Sequence, residues 1–178
     1  VEWSRGLGDV YKRQLENIKD IDSRRFSCAG SLDVNGVSVK CTGVHGSQTF
    51  EDALANSCNC AFAQISLELG ADTIESYAKK FGFLDSQPLS GIPTMAGSFT
   101  KGASGSANLA WSGIGQYEDL ICPYSMLRYV SAIANGGTVY DCTVIDKVVD
   151  QDGNVVMDQE PKVFGTITDV NNYMDYIV

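Results

Sequence analysis

The chain has 178 residues, 44% of them hydrophobic and 20% charged, with a net charge of −9. That length supports a hydrophobic core, and the negative balance opposes nucleic acid and anionic lipid as partners, because neither polyanion meets a basic stripe. No apolar run reaches the roughly 18 to 20 residues of a membrane span, and the first residues lack the pattern of a signal peptide.

Residues 1–14, VEWSRGLGDVYKRQ, show no period. Asp9 to Gln14 resembles the in-frame translation of a sequencing-library adaptor, so 1–14 is expected to be a cloning scar or a disordered arm, with the domain proper over 15–178. A helix remnant is expected near Leu15. Val34-Asn35-Gly36-Val37 then signals a tight hairpin between Cys28 and Cys41, in which facing residues sum to 71. Cys28 and Cys41 become diagonal neighbours, a placement open to a disulfide or to two buried thiols. The six cysteines contain no C-x-x-C, and Cys58 and Cys60 are too close for the usual zinc pattern, so neither a metal site nor a cofactor is expected.

Thr49 with Asp52 three residues on resembles a capping box opening a helix to about Asn56. A second helix is predicted from about Asn59, with Phe62, Ile65 and Leu69 at helical spacing and Gly70 as its stop. Asp72 is expected to cap a third, whose Ile74, Tyr77, Ala78 and Phe81 share a face. Gln87 to Ser112 reads as a long loop rich in Gly, Ser and Ala. Pro123 opens a further helix with Met126, Leu127, Val130 and Ile133 as its apolar stripe, ended by Asn135-Gly136-Gly137. Cys142 to Asp150 and Asn154 to Met157 are expected to be strands joined at Asp152-Gly153, and a last helix is predicted from Thr168. Helices mixed with hairpins, rather than β-α-β units, favour an α+β domain.

Ser57-Cys58-Asn59 between two helices is followed by Gly113-Ile114-Gly115-Gln116 and Ile133-Ala134-Asn135-Gly136-Gly137. His45-Gly46 precedes the first of those helices, and Lys80-Phe81-Gly82-Phe83 follows. This ordered set resembles the transpeptidase domain of the high-molecular-weight penicillin-binding proteins over nearly all of Leu15 to Val178. The resemblance implies a partial penicillin-binding transpeptidase or serine β-lactamase-like fold, mostly its helical lobe plus β-hairpins. It also implies acyl transfer from D-Ala-D-Ala stem peptides of peptidoglycan and acylation by β-lactams. The whole protein would then work at the extracytoplasmic face of a bacterial membrane, anchored there among cell-wall synthesis partners.

Family members place three motifs around one cleft: Ser-x-x-Lys, Ser-x-Asn and Lys-Thr-Gly. Only Ser-x-Asn stands in family order here. The nucleophile is expected ahead of Leu15 and Lys-Thr-Gly after Val178; Ser4 falls near the first place, but Leu7 occupies the Lys position. The 178 residues by themselves are therefore expected to be inert. Ser76-x-x-Lys79 and Ser98-x-x-Lys101 lie after Ser-x-Asn, the reverse order, and read as chance matches. In the resemblance Ser57 relays a proton toward the leaving nitrogen, while Asn59 holds the catalytic Lys and binds the substrate amide. The bland alternative has Asn59 capping the second helix and Ser57 satisfying a turn.

Cys58 is expected to turn into the core. His45, the only histidine, lacks a Gly-x-Ser-x-Gly elbow elsewhere and reads as structural. Gly113 to Gln116 is assigned to packing of the helix that follows, ahead of close backbone approach at the cleft. A serine β-lactamase and a non-catalytic penicillin-binding-like sensor or scaffold are the alternatives.

Overall fold

The computed structural model describes residues 18, 20, 21, 23–116 and 118–166. The adaptor-like stretch 1–14, the remnant at Leu15 and the helix expected from Thr168 lie outside them. The chain divides into two compact units, one of residues up to Lys80 with Ser98–Leu120, the other of Phe81–Gly97 with residues from Ile121 on.

In the first unit, β1 (Phe26–Cys28) pairs antiparallel with β4 (Gly46–Gln48), and β2 (Ser31–Val34) with β3 (Val37–Lys40). The second pairing has the expected register, Val34 facing Val37 and Ser31 facing Lys40. Asn35 and Gly36 both take positive φ, 52° and 84°, which is what a two-residue turn matched to strand twist requires. Cys28 belongs to β1 and not to the hairpin strand, and all six cysteines are free thiols. The disulfide alternative is thereby set aside.

The helices α1 (Phe50–Ala55), α2 (Asn59–Leu69), α3 (Ala71–Lys80) and α4 (Ala107–Ser112) complete the unit. Asp72 is the second residue of α3, two residues inside the cap position, and so does not cap it. α4 falls in the stretch read as loop: Ser106 Oγ accepts from Leu109 N at 3.2 Å, and Leu109 and Ala110 are fully buried. Short length and small residues hide such a helix from periodicity. α2 is buried on nearly every side, through Cys60, Ala61, Phe62, Ala63, Ile65 and Ser66. Small residues let it sit between the strands and α4, and Phe62 meets Phe50 edge-on at 6.1 Å.

α1 opens on the expected capping box: Thr49 Oγ1 accepts from Asp52 N, and Asp52 Oδ2 accepts from Thr49 N, both at 3.1 Å. Thr49→Ala should therefore cost about 1 kcal/mol in chemical denaturation. The Thr49 backbone N–H, then its hydroxyl, hold the Asp52 carboxyl below its ordinary 3.8. A depressed folded value means this support is complete above the unfolded pKa and lost as pH falls through the folded one. Asp52→Ala, which removes the titrating carboxyl, should accordingly approach the parent in stability in acid, whereas the Thr49→Ala gap should largely persist there, because the hydroxyl accepts from a backbone N–H that does not titrate.

In the second unit, α5 (Pro123–Ala134) starts with Pro123 in its first turn, as expected. β5 (Thr138–Asp141) pairs with β8 (Lys162–Thr166), and β6 (Lys147–Val149) with β7 (Val155–Asp158), all antiparallel. The strand expected over Cys142 to Asp150 is thus confined to its last part, and β5 and β8 are additions. The buried face of α5 is Ser125, Arg128, Tyr129 and Ala132, whereas Leu127 and Val130 of the expected stripe are 57% and 49% exposed. Arg128 explains the rotation. Its guanidinium pairs with Asp141 at 2.8 Å, donates to Tyr140 O at 3.1 Å and lies 4.2 Å from the centre of the Phe164 ring, so the charge is buried with partners. Phe81, expected on α3, follows that helix and stacks in this unit with Phe83 and Tyr129 at 5.2 to 6.1 Å.

The α+β class read from the sequence is the class observed, helices with small antiparallel sheets.

Candidate functional site

The α1–α2 joint is built by backbone hydrogen bonds. Ser57 N donates to Leu54 O at 3.1 Å and Cys58 N to Ala53 O at 2.9 Å, while Asn56 caps α1 and Ser57 takes φ 49°. These are the two bonds of a Schellman ending, with Ser57 at the left-handed position that glycine ordinarily fills. Ala53 and Cys58 supply the usual apolar contact positions, both fully buried. Cys58 then serves at once as N-cap of α2, with no side-chain cap bond. The cap role offered for Asn59 does not hold: Asn59 is the first helical residue, and its Nδ2 donates to Lys40 O at 2.9 Å.

Serine is a costly choice at this backbone position. A left-handed conformation disfavours a Cβ by about 1 kcal/mol, and no turn chemistry at this place calls for a hydroxyl. Ser57 and Asn59 are half-buried on either side of a core residue, so a polar pair is fixed by two helix ends and tied to the end of β3. Such a pair can pass a proton and orient an amide.

The two reversed Ser-x-x-Lys matches do not make a nucleophile with a base. Lys101 is clamped by Asp72 at 2.9 Å and Glu75 at 2.7 Å, and those carboxylates raise its pKa, so it stays an ammonium and cannot take a proton from Ser98. Lys79 pairs with Glu75 at 3.0 Å, and Ser76 stands exposed on α3.

Gly113 at the end of α4 has φ −61°, open to any residue, yet an added Cβ would meet the side chain of Ser66 and come 3.0 Å from Phe62 O on α2. Its role is packing, against the preceding α2 and not a following helix. Asp119 nearby is half-buried, which raises its carboxyl pKa although Thr100 N donates to it at 3.1 Å.

Sequence reading missed a cluster behind the joint. His45 Nδ1 lies 3.5 Å from Cys41 Sγ and 3.6 Å from Cys28 Sγ, and Cys41 Sγ is 3.8 Å from Cys58 Sγ. Burial opposes the Cys41 thiolate, but backbone N–H groups of Cys60, Gly43 and Asn59 and the Cys28 thiol outweigh it and hold that thiol at about 6. Burial pushes Cys58 up to about 12.

A sequence profile of the penicillin binding protein transpeptidase domain matches residues 19–176. Stage V sporulation protein D of Bacillus subtilis is 30% identical over 147 residues, covering 81% of this chain and 22% of that protein. The peptidoglycan D,D-transpeptidase PbpA of Mycobacterium tuberculosis is 36% identical over 89 residues, covering 50% and 18%. The chain thus spans about a fifth of the length of these relatives. Among solved structures, a ceftriaxone acyl-enzyme complex of M. tuberculosis penicillin-binding protein A superposes with a TM-score of 0.81 at 17% identity, covering 90% of this chain and 38% of that one. The D,D-transpeptidase domain of an Eggerthella lenta peptidoglycan glycosyltransferase gives 0.81 at 20% identity, covering 98% and 46%. At these identities the superpositions establish the fold.

Proposed function

Because the chain belongs to the penicillin-binding protein transpeptidase family, we propose that it forms part of a serine D,D-transpeptidase. That enzyme cross-links peptidoglycan by acyl transfer from D-Ala-D-Ala stem peptides and is acylated by β-lactams. The observation that carries this reading is Ser57 at the left-handed end of α1, where structure alone favours glycine and family chemistry needs a hydroxyl.

The reaction requires a serine oxygen relieved of its proton, a route for that proton to the departing amine, and donors for the oxyanion. Ser57 Oγ supplies the route, accepting a proton on one side and donating to the leaving nitrogen on the other. Asn59 holds the lysine that activates the nucleophile and binds the substrate amide. Its Nδ2 contact with Lys40 O sets the rotation of that side chain. The nucleophile and the Lys-Thr-Gly strand belong to the whole protein. None of the described helices is long and apolar enough to cross a membrane. We place the enzyme on the extracytoplasmic face of a bacterial membrane with other cell-wall synthesis proteins.

Fluorescent penicillin tests the reading. The longer gene product should form a covalent adduct at a serine ahead of Leu15, and the 178-residue chain should form none. An adduct at Ser98 or Ser76 would overturn the assignment of the site.

A further inference from the structure

We propose that Cys28, Cys41, His45 and Cys58 bind one Zn²⁺ ion in a tetrahedral site of three sulfurs and one nitrogen, which staples the Ser57–Asn59 joint to the strands beneath it.

The four ligand atoms all lie within 4.8 Å of one another. Zn–S bonds of about 2.3 Å and a Zn–N bond of about 2.0 to 2.1 Å, meeting at the tetrahedral angle, put two sulfurs about 3.8 Å apart and a sulfur about 3.6 Å from the nitrogen. The observed edges are 3.8 Å for Cys41 to Cys58, 3.5 Å for Cys41 to His45 Nδ1, and 3.6 Å for Cys28 to His45 Nδ1. Three of the six edges thus stand at the lengths a zinc ion needs, and the other three are no longer than 4.8 Å.

Hydrogen bonding among thiols accounts less well for this convergence. An imidazole nitrogen offers either one lone pair or one proton, yet two sulfurs approach the same Nδ1. A central cation serves all four groups at once. The donor set also selects the metal: thiolates with imidazole suit Zn²⁺, whereas Mg²⁺ and Ca²⁺ require oxygen.

Placement gives the site a purpose. The order is C-x12-C-x3-H-x12-C, so the short Cys41–His45 pair lies in one turn while Cys28 ends β1 and Cys58 caps α2. One ion would thus join three segments distant in sequence. Backbone N–H groups of Cys60, Gly43 and Asn59 face the Cys41 sulfur, the kind of outer partner that steadies a metal thiolate. Cys58 is the middle residue of Ser-x-Asn, and Asn59 is bonded to Lys40, the neighbour of Cys41. The ion would fix both ends of the polar pair. Zinc binding itself does not rest on the transpeptidase reading.

The test uses the 178-residue chain, purified reduced, loaded with Zn²⁺ and dialysed. Elemental analysis should find one zinc per chain. Co²⁺ in its place should give thiolate charge-transfer bands and the intense visible bands of tetrahedral cobalt, both erased by added Zn²⁺. Cys41→Ser and His45→Ala should weaken zinc binding by at least about 10- to 100-fold, the scale measured even for outer partners. Cys60→Ser, as fully buried as Cys58, and Cys122→Ser should keep the full equivalent. Amide exchange over residues 56–60 should slow with zinc. The proposal fails if the parent chain holds no zinc, if its cobalt spectrum lacks thiolate bands, or if the reduced preparation closes a disulfide among Cys28, Cys41 and Cys58. The cobalt spectrum of the parent decides the matter even where a variant does not fold, and no step depends on penicillin.

Discussion

Ser57→Ala in the longer protein should slow β-lactam acylation by about 10²-fold or more, the usual scale for removing a positioned proton-transfer group. Ser57→Gly should slow it equally and raise stability by about 0.5 to 1 kcal/mol, because glycine takes φ 49° without the strain a Cβ brings. The opposite movement of activity and stability is the informative result. A serine kept for the turn would make Ser57→Gly harmless to acylation. A serine kept for packing would make both variants melt early. Stopped-flow acylation beside thermal unfolding separates the three cases, and parental acylation in Ser57→Gly would remove Ser57 from the proton path. Asn59→Ala should fall with the serine variants in rate, since its amide would be lost from the same site.

The elements that could be read from sequence are those whose signal is local. The Asn35-Gly36 turn fixes its own φ values and therefore the register of β2 with β3, and Thr49 with Asp52 closes a ring within four residues. Hydrophobic patterning failed where burial is earned by partners brought from afar. Arg128 reads as a surface residue until Asp141 and Phe164 surround it, and the predicted face of α5 was therefore one residue off. β5 and β8 are separated by the β6–β7 hairpin, so neither carries a turn that names its mate. At the joint, the motif located Ser57 and Asn59, but its meaning needed backbone angles: only φ 49° shows serine standing where glycine is cheaper. The sulfur cluster is the extreme case. A search for C-x-x-C cannot find ligands with twelve residues between them, and only the strand pairings of β1 and β2 bring Cys28 and Cys41 to His45. Cys41-x-x-x-His45 was the one local trace, a spacing that occurs within metal-binding pairs.

Gly113→Ala should destabilise the first unit by about 3 kcal/mol, near the upper end for inserting one methyl into a packed core. The backbone gives no reason for glycine here, since φ −61° is ordinary helix, so the whole effect must come from contact. The new Cβ would strike the side chain of Ser66 and sit 3.0 Å from Phe62 O. Neither neighbour can retreat: Ser66 is fully buried with its hydroxyl bonded to Ala63 O at 2.9 Å, and Phe62 O belongs to the backbone of α2. α2 carries Asn59 at its first turn, so a displaced α4–α2 contact would also disturb the site at its other end. Ser66→Gly removes the atoms struck by the new methyl group, and the double variant Gly113→Ala with Ser66→Gly should recover at least about 1 kcal/mol relative to the sum of the single losses. Coupling of that sign places Gly113 in the packing of α4 on α2. If Gly113→Ala instead melts with the parent while acylation of the longer protein collapses, the glycine belongs to the reaction site and the packing assignment is wrong.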